Sequence, residues 1–122
     1  MAKKRKPIYF KVPAIGNEHY VYVCVDTKKR GLKRVRNYFK GIDDSTTAED
    51  FDCRGKSFLN PKLFPIMWID IEREDLIGTV AHEAFHCVLD IFEYNDIKVC
   101  KETEEVFAII LGAIVRAVEE EL

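Results

Sequence analysis

TVAHEAFHCVLDIF, residues 79–92, sets Ala81, Phe85, Val88, Leu89 and Phe92 three and four positions apart. That repeat belongs to an α-helix laying one apolar stripe on a core. Asp75 is suited to cap its N-terminus, so the spacing predicts a helix from about residue 76 to about residue 93. Just upstream, PIMWIDIE (residues 65–72) is rich in β-branched and aromatic residues, which predicts a strand. Downstream, a polar connection at residues 94–98 leads into a last helix over residues 102–120. Acidic residues in its first turn suit the positive end of the helix dipole. Its apolar run, residues 106–115, falls well short of the roughly 20 residues needed to cross a bilayer, and predicts a buried helix.

Further out, Ile8, Phe10 and Val12 alternate with polar neighbours, and Val21, Val23 and Val25 alternate with Tyr20, Tyr22 and Cys24. With a turn over residues 13–17 containing Gly16, residues 8–12 and 19–26 read as a β-hairpin. LKRVRNYFK (residues 32–40) places Leu32, Val35 and Phe39 at helical spacing under a basic coat, and residues 41–62 read as polar and irregular. The order is two strands, a helix, a strand and two helices. That is a single α+β domain, with a small antiparallel or mixed sheet packed on the residue 79–92 helix and the last helix.

Length and composition agree. The chain has 122 residues, 48% hydrophobic and 33% charged, which suits one soluble domain of about 100–200 residues. It excludes a multidomain enzyme, a disordered or collagenous chain and a membrane span. The net charge of −2 hides an asymmetry: residues 1–60 carry +7 and residues 61–122 carry −9. Basic residues 3–6 lack a following apolar segment, so residues 1–6 read as a flexible basic terminus rather than a signal peptide. A cytoplasmic location is expected, with Cys24, Cys53, Cys87 and Cys100 reduced and Cys24 and Cys87 in the core.

Two of the three histidines fall inside the predicted helix as His82-Glu83-Ala84-Phe85-His86. Positions i and i+4 share a helix face. Two imidazoles there can reach one metal ion, with Glu83 beside it to take a proton from a bound water. Neutral imidazole with carboxylate oxygen and one open position suits Zn²⁺. One protein ligand is still missing. His19 is one source, at the start of a strand; Glu102, Glu104 and Glu105, at the start of the last helix, are the better one.

The segment TVAHEAFHCVLD resembles the zinc helix of thermolysin-like gluzincins, a family of zincin metallopeptidases. In that family a second helix brings a glutamate ligand followed seven residues later by glycine, a spacing matched by Glu105 and Gly112. The resemblance implies a minimal zincin-like domain with His82, His86 and Glu105 as zinc ligands, Glu104 in reserve and Glu83 as general base. It further implies a peptide or protein substrate, paired with a strand that edges the cleft, for which residues 65–72 are the candidate. The chain also resembles short HExxH proteins encoded by bacteriophages, for which the location would be the host cytoplasm. Two features depart from the gluzincin pattern. Ile109 stands where the family has an aspartate that orients a zinc histidine, leaving Asp70, Asp90 or a backbone carbonyl for that role. A chain of this length is also not expected to hold the family's second domain, whose transition-state group Tyr94 or another local group would have to replace.

An alternative keeps the zinc without turnover, as a staple in a binding or inhibitory protein. Residues 28–40 hold seven Lys/Arg with Tyr38 and Phe39 between them, a pattern that serves either nucleic acid or a solvated helix face. Gly55-Lys56-Ser57 matches the end of a phosphate-binding loop, but Asp50 stands where its first glycine belongs, and that reading fails. Trp68 reads as a core or cleft-wall residue.

Overall fold

The computed structural model describes residues 5–15, 18–42, 45–60 and 63–122. The elements run β1 (Ile8–Ile15), β2 (His19–Asp26), α1 (Lys28–Tyr38), a short 3₁₀ turn (Ala48–Phe51), β3 (Gly55–Asn60), β4 (Leu63–Asp70), α2 (Leu76–Tyr94) and α3 (Glu104–Glu121). They form an α+β fold around a mixed sheet of order β1-β2-β4-β3. β1 pairs antiparallel with β2, β2 parallel with β4 across the α1 crossover, and β4 antiparallel with β3.

The period-two pattern sorts the strands onto two cores. Val21, Val23 and Val25 join Met67 and Ile69 under α2 and α3, while Cys24, Ile66 and Trp68 point the other way, towards Val35 and Phe39 at α1. Trp68 is fully buried and its indole N–H donates to the Asp26 carbonyl at 3.1 Å. α1 can lie this close only because residue 31 is glycine: a β-carbon there would run into the Trp68 ring. Thr27 caps α1 by accepting from the Arg30 N–H.

α2 ends in a Schellman-type stop, with the Ile97 N–H on the Phe92 carbonyl at 2.8 Å and the Asp96 N–H on the Glu93 carbonyl at 3.0 Å. Asp96 supplies the required left-handed residue (φ 54°) in place of the usual glycine. No helix is long and apolar enough to cross a membrane among the described residues.

Three expectations are corrected. Residues 55–60, expected to be irregular, form β3, because their backbone completes the free edge of β4. The strand expected at residues 65–72 spans Leu63–Asp70 and lies between β2 and β3 rather than at the edge of a cleft. α3 is not a buried helix: it buries Phe107, Ile110, Ile114 and Val118 and leaves Val106 and Ile109 in solvent. The expected hairpin stands, with Pro13 inside β1, while Gly16 and Asn17 of its turn and residues 1–4 of the basic terminus lie outside the described residues.

Candidate metal centre

α2 lies across β3 and β4 with α3 beside it. Its buried stripe is Leu76, Thr79, Val80, Glu83, Ala84, Cys87, Val88, Ile91 and Phe92. His82, Phe85 and His86 therefore face outward, and the His82 side chain is 71% exposed. The two imidazoles stand with ring centroids 5.1 Å apart, one turn from each other, so a ligand can approach both from solvent.

Glu83 faces the other way. It is 8% exposed, and its Oε1 lies 2.9 Å from the Ser57 hydroxyl, which is also 2.8 Å from the Glu83 backbone carbonyl. The single hydroxyl proton can go to either oxygen. Oε2 remains 3.9 Å from His82 Nε2. The carboxylate thus has one oxygen fixed by β3 and one turned towards the histidine pair. Sequence reasoning missed Ser57, because the strand carrying it was read as irregular; the alternation of Ser57 and Leu59 about buried Phe58 was the available signal.

β3 follows α2 residue by turn. Gly55 lies against Thr79, where a β-carbon would meet the Thr79 methyl at 2.8 Å and the Trp68 carbonyl at 2.9 Å. Ser57 meets Glu83, and Leu59 shares a groove with His86 and Leu89. β3 is the last strand of the sheet, with no further strand beside it among the described residues, which is the position where a strand can be added. A groove of about 400 Å³ opens beside it, lined by Cys53, Arg54, Asp75, Thr79, His82 and Glu83. Asp75 sits at the N-cap of α2 without capping it, its carboxylate instead pairing with Arg54 at 2.8 Å.

The structure brings together His82, Glu83 and His86 but does not gather a third ligand. Glu104 and Glu105 stand exposed in the first turn of α3, and no group of three His, Cys, Asp or Glu side chains able to hold a metal occurs among the described residues. That turn is nevertheless tied to the motif helix: the Phe107 ring packs edge-on to Phe85 (5.1 Å) and Phe92 (5.2 Å). Paired imidazoles beside a carboxylate fit a zinc donor set in chemistry.

His19 is not part of this arrangement. Its ring packs on Phe64 and Tyr94 at the far end of α2, around a cavity of about 130 Å³. Tyr94 is correspondingly distant in sequence from the pair and 65% exposed. Asp70 is committed to a turn, accepting from the Glu72 N–H at 3.1 Å. Asp90 alone among the expected orienting residues shares a groove with His86, and burial, with Glu93 nearby, pushes its carboxyl above the usual range.

Comparison of the chain with protein-family models, curated proteins and solved structures finds no match in any of the three.

Proposed function

We propose that this protein is a zinc-dependent metallopeptidase-like hydrolase of zincin type, acting in a reducing cytoplasm. The reading rests on one juxtaposition: an exposed histidine pair, a carboxylate between the pair and the sheet, and the edge strand of the sheet alongside. His82 and His86 would hold the metal, with Glu105 as third ligand. Bound zinc supplies Lewis acidity to a water and to a substrate carbonyl. Glu83 takes the proton from the attacking water and returns it to the leaving amine. Ser57 keeps the carboxylate aimed, and β3, not β4, receives an extended peptide by strand addition.

A second reading, a zinc-stapled protein without turnover, is favoured by the burial of Glu83, which ties one carboxylate oxygen to Ser57. Two measurements separate the readings. Protein purified without added zinc should carry close to one equivalent, lost in the His82→Ala, His86→Ala double variant. A stoichiometry far below one, unchanged in that variant, overturns both. Glu83→Gln should abolish cleavage in a peptide-library assay while metal content and fold persist. A zinc-loaded native chain that cleaves nothing leaves the staple.

A further inference from the structure

The face of the sheet opposite α2 is only partly covered. α1 lies over β2 and β4, and among the described residues no helix lies squarely over β1 and the near side of β2. Register fixes what stands there: Tyr9 opposite Cys24, Lys11 opposite Tyr22 and Pro13 opposite Tyr20 all point to this face. Tyr38 of α1 joins them, its ring 4.9 Å from that of Tyr22. Four of the five tyrosines in the chain thus border one groove or its rim.

The cations are set among the rings. Arg34 lies over Tyr9 at 3.8 Å, and Lys11 over Tyr20 at 4.5 Å. Arg30 stands one turn before Arg34 on the same exposed side of α1. Neither Lys11, Arg30 nor Arg34 has a carboxylate partner among the described residues. The groove between α1 and β1 holds about 360 Å³ and is lined by Tyr9, Lys11, Tyr22, Arg34, Asn37 and Tyr38. This face belongs to the half of the chain carrying +7. Rings with flat faces for stacking, bordered by unpaired cations at phosphate reach, complement a polyanion whose bases are unstacked. A duplex, with its bases stacked inside, offers the cations phosphates but the tyrosines nothing.

We propose that this face binds single-stranded nucleic acid, with Tyr9 and Tyr22 stacking bases and Lys11, Arg30 and Arg34 contacting phosphates. The site lies across the sheet from His82 and His86 and does not depend on the zinc reading.

The test is fluorescence anisotropy of the full chain with a labelled oligothymidylate about ten nucleotides long. Saturable binding is expected, weaker for duplex DNA of equal length, with log affinity falling against log salt at a slope of roughly −2 for three phosphate contacts. Tyr9→Ala and Arg34→Glu should each weaken it about tenfold. Lys101→Glu, an equal loss of charge away from this face, should leave it unchanged. Circular dichroism checks that each variant folds; Arg30→Glu, at an exposed position, replaces Arg34→Glu if the latter does not. Absence of saturable binding at ~100 µM protein in low salt overturns the proposal. So does binding insensitive to Tyr9→Ala, equal loss in Lys101→Glu, or equal competition by polyglutamate or anionic phosphatidylserine vesicles, each of which would reduce the face to bulk charge.

Discussion

α2 and α3 have almost the same length, 19 and 18 residues, and both are rich in apolar side chains, yet they are used differently. α2 buries nine residues and turns His82 and His86 to solvent; α3 buries four and turns Val106 and Ile109 to solvent. The difference comes from neighbours. α2 rests on β3 and β4 and is flanked by α3, whereas α3 packs mainly on α2 and the outer strand β1. Hydropathy sets what a helix is able to bury, and the number of surfaces around it sets how much is buried. On α2 the polar residues left outside are the chemically capable ones, which is why the candidate centre lies there.

If the inner stripes are equivalent, equal truncations should cost equally. Ile91 on α2 and Ile114 on α3 are both essentially inaccessible. Ile91→Ala and Ile114→Ala should each lower unfolding free energy by about 2–5 kcal/mol, measured by urea titration. A cost for Ile114→Ala below half that of Ile91→Ala would show α3 to be loosely docked, and would sharpen the contrast between the helices.

Most of this framework could be read from local pattern. Alternation along Ile8–Val12 and Val21–Val25 specified the hairpin and which side chains share a face. The spacing of Leu32, Val35 and Phe39 gave a helix over residues 32–40, where α1 runs Lys28–Tyr38 with Phe39 at its C-cap. Asp75 marked the boundary of α2, although its side chain serves Arg54 instead of the helix end. β3 was barely readable: GKSFLN buries only Phe58, so the alternation about it is a weak signal, and its extended state is set by antiparallel pairing with β4, the next strand in the chain. The exposure of α3 was unreadable for the same reason, since it depends on what lies nearby. Of the site, the histidine pair followed from i, i+4 spacing. The Ser57–Glu83 contact joins residues 26 apart and needed the tertiary structure.

A smaller effect separates the polar residues of the two helices. Glu104 and Glu105 of α3 are exposed at its start, while Asp90 of α2 is half-buried and its carboxyl is pushed upward by burial and then by Glu93. A raised folded-state value means the ionised form is less welcome in the fold than in the unfolded chain. The penalty is absent below the unfolded carboxylate range, grows as pH rises through it and is complete only above the raised folded-state value. Asp90→Asn should therefore be more stable than the native chain at pH 7, and this advantage should vanish near about pH 3, where both are neutral. Thermal melts at the two pH values check the sign. An advantage that persists in acid would place the gain in packing, and would remove this distinction between the helices.

The least costly substitution tests the outer face of α3. Ile109 is 62% exposed and Val106 51% exposed, and Phe85 of α2 stands 45% exposed near the start of α3, beside Phe107. Removing a side chain that touches little should change stability by less than about 0.5 kcal/mol. Ile109→Ser should thus leave the urea midpoint in place while raising solubility, because an apolar group leaves the surface without opening a cavity. Sedimentation velocity on the same samples carries the second half of the test. If Ile109→Ser costs more than about 1 kcal/mol and lowers the sedimentation coefficient of the native protein, Ile109 is covered in solution. α3 would then bury both of its faces, one against α2 and β1 and one against a second copy, and its resemblance to α2 would be restored by assembly.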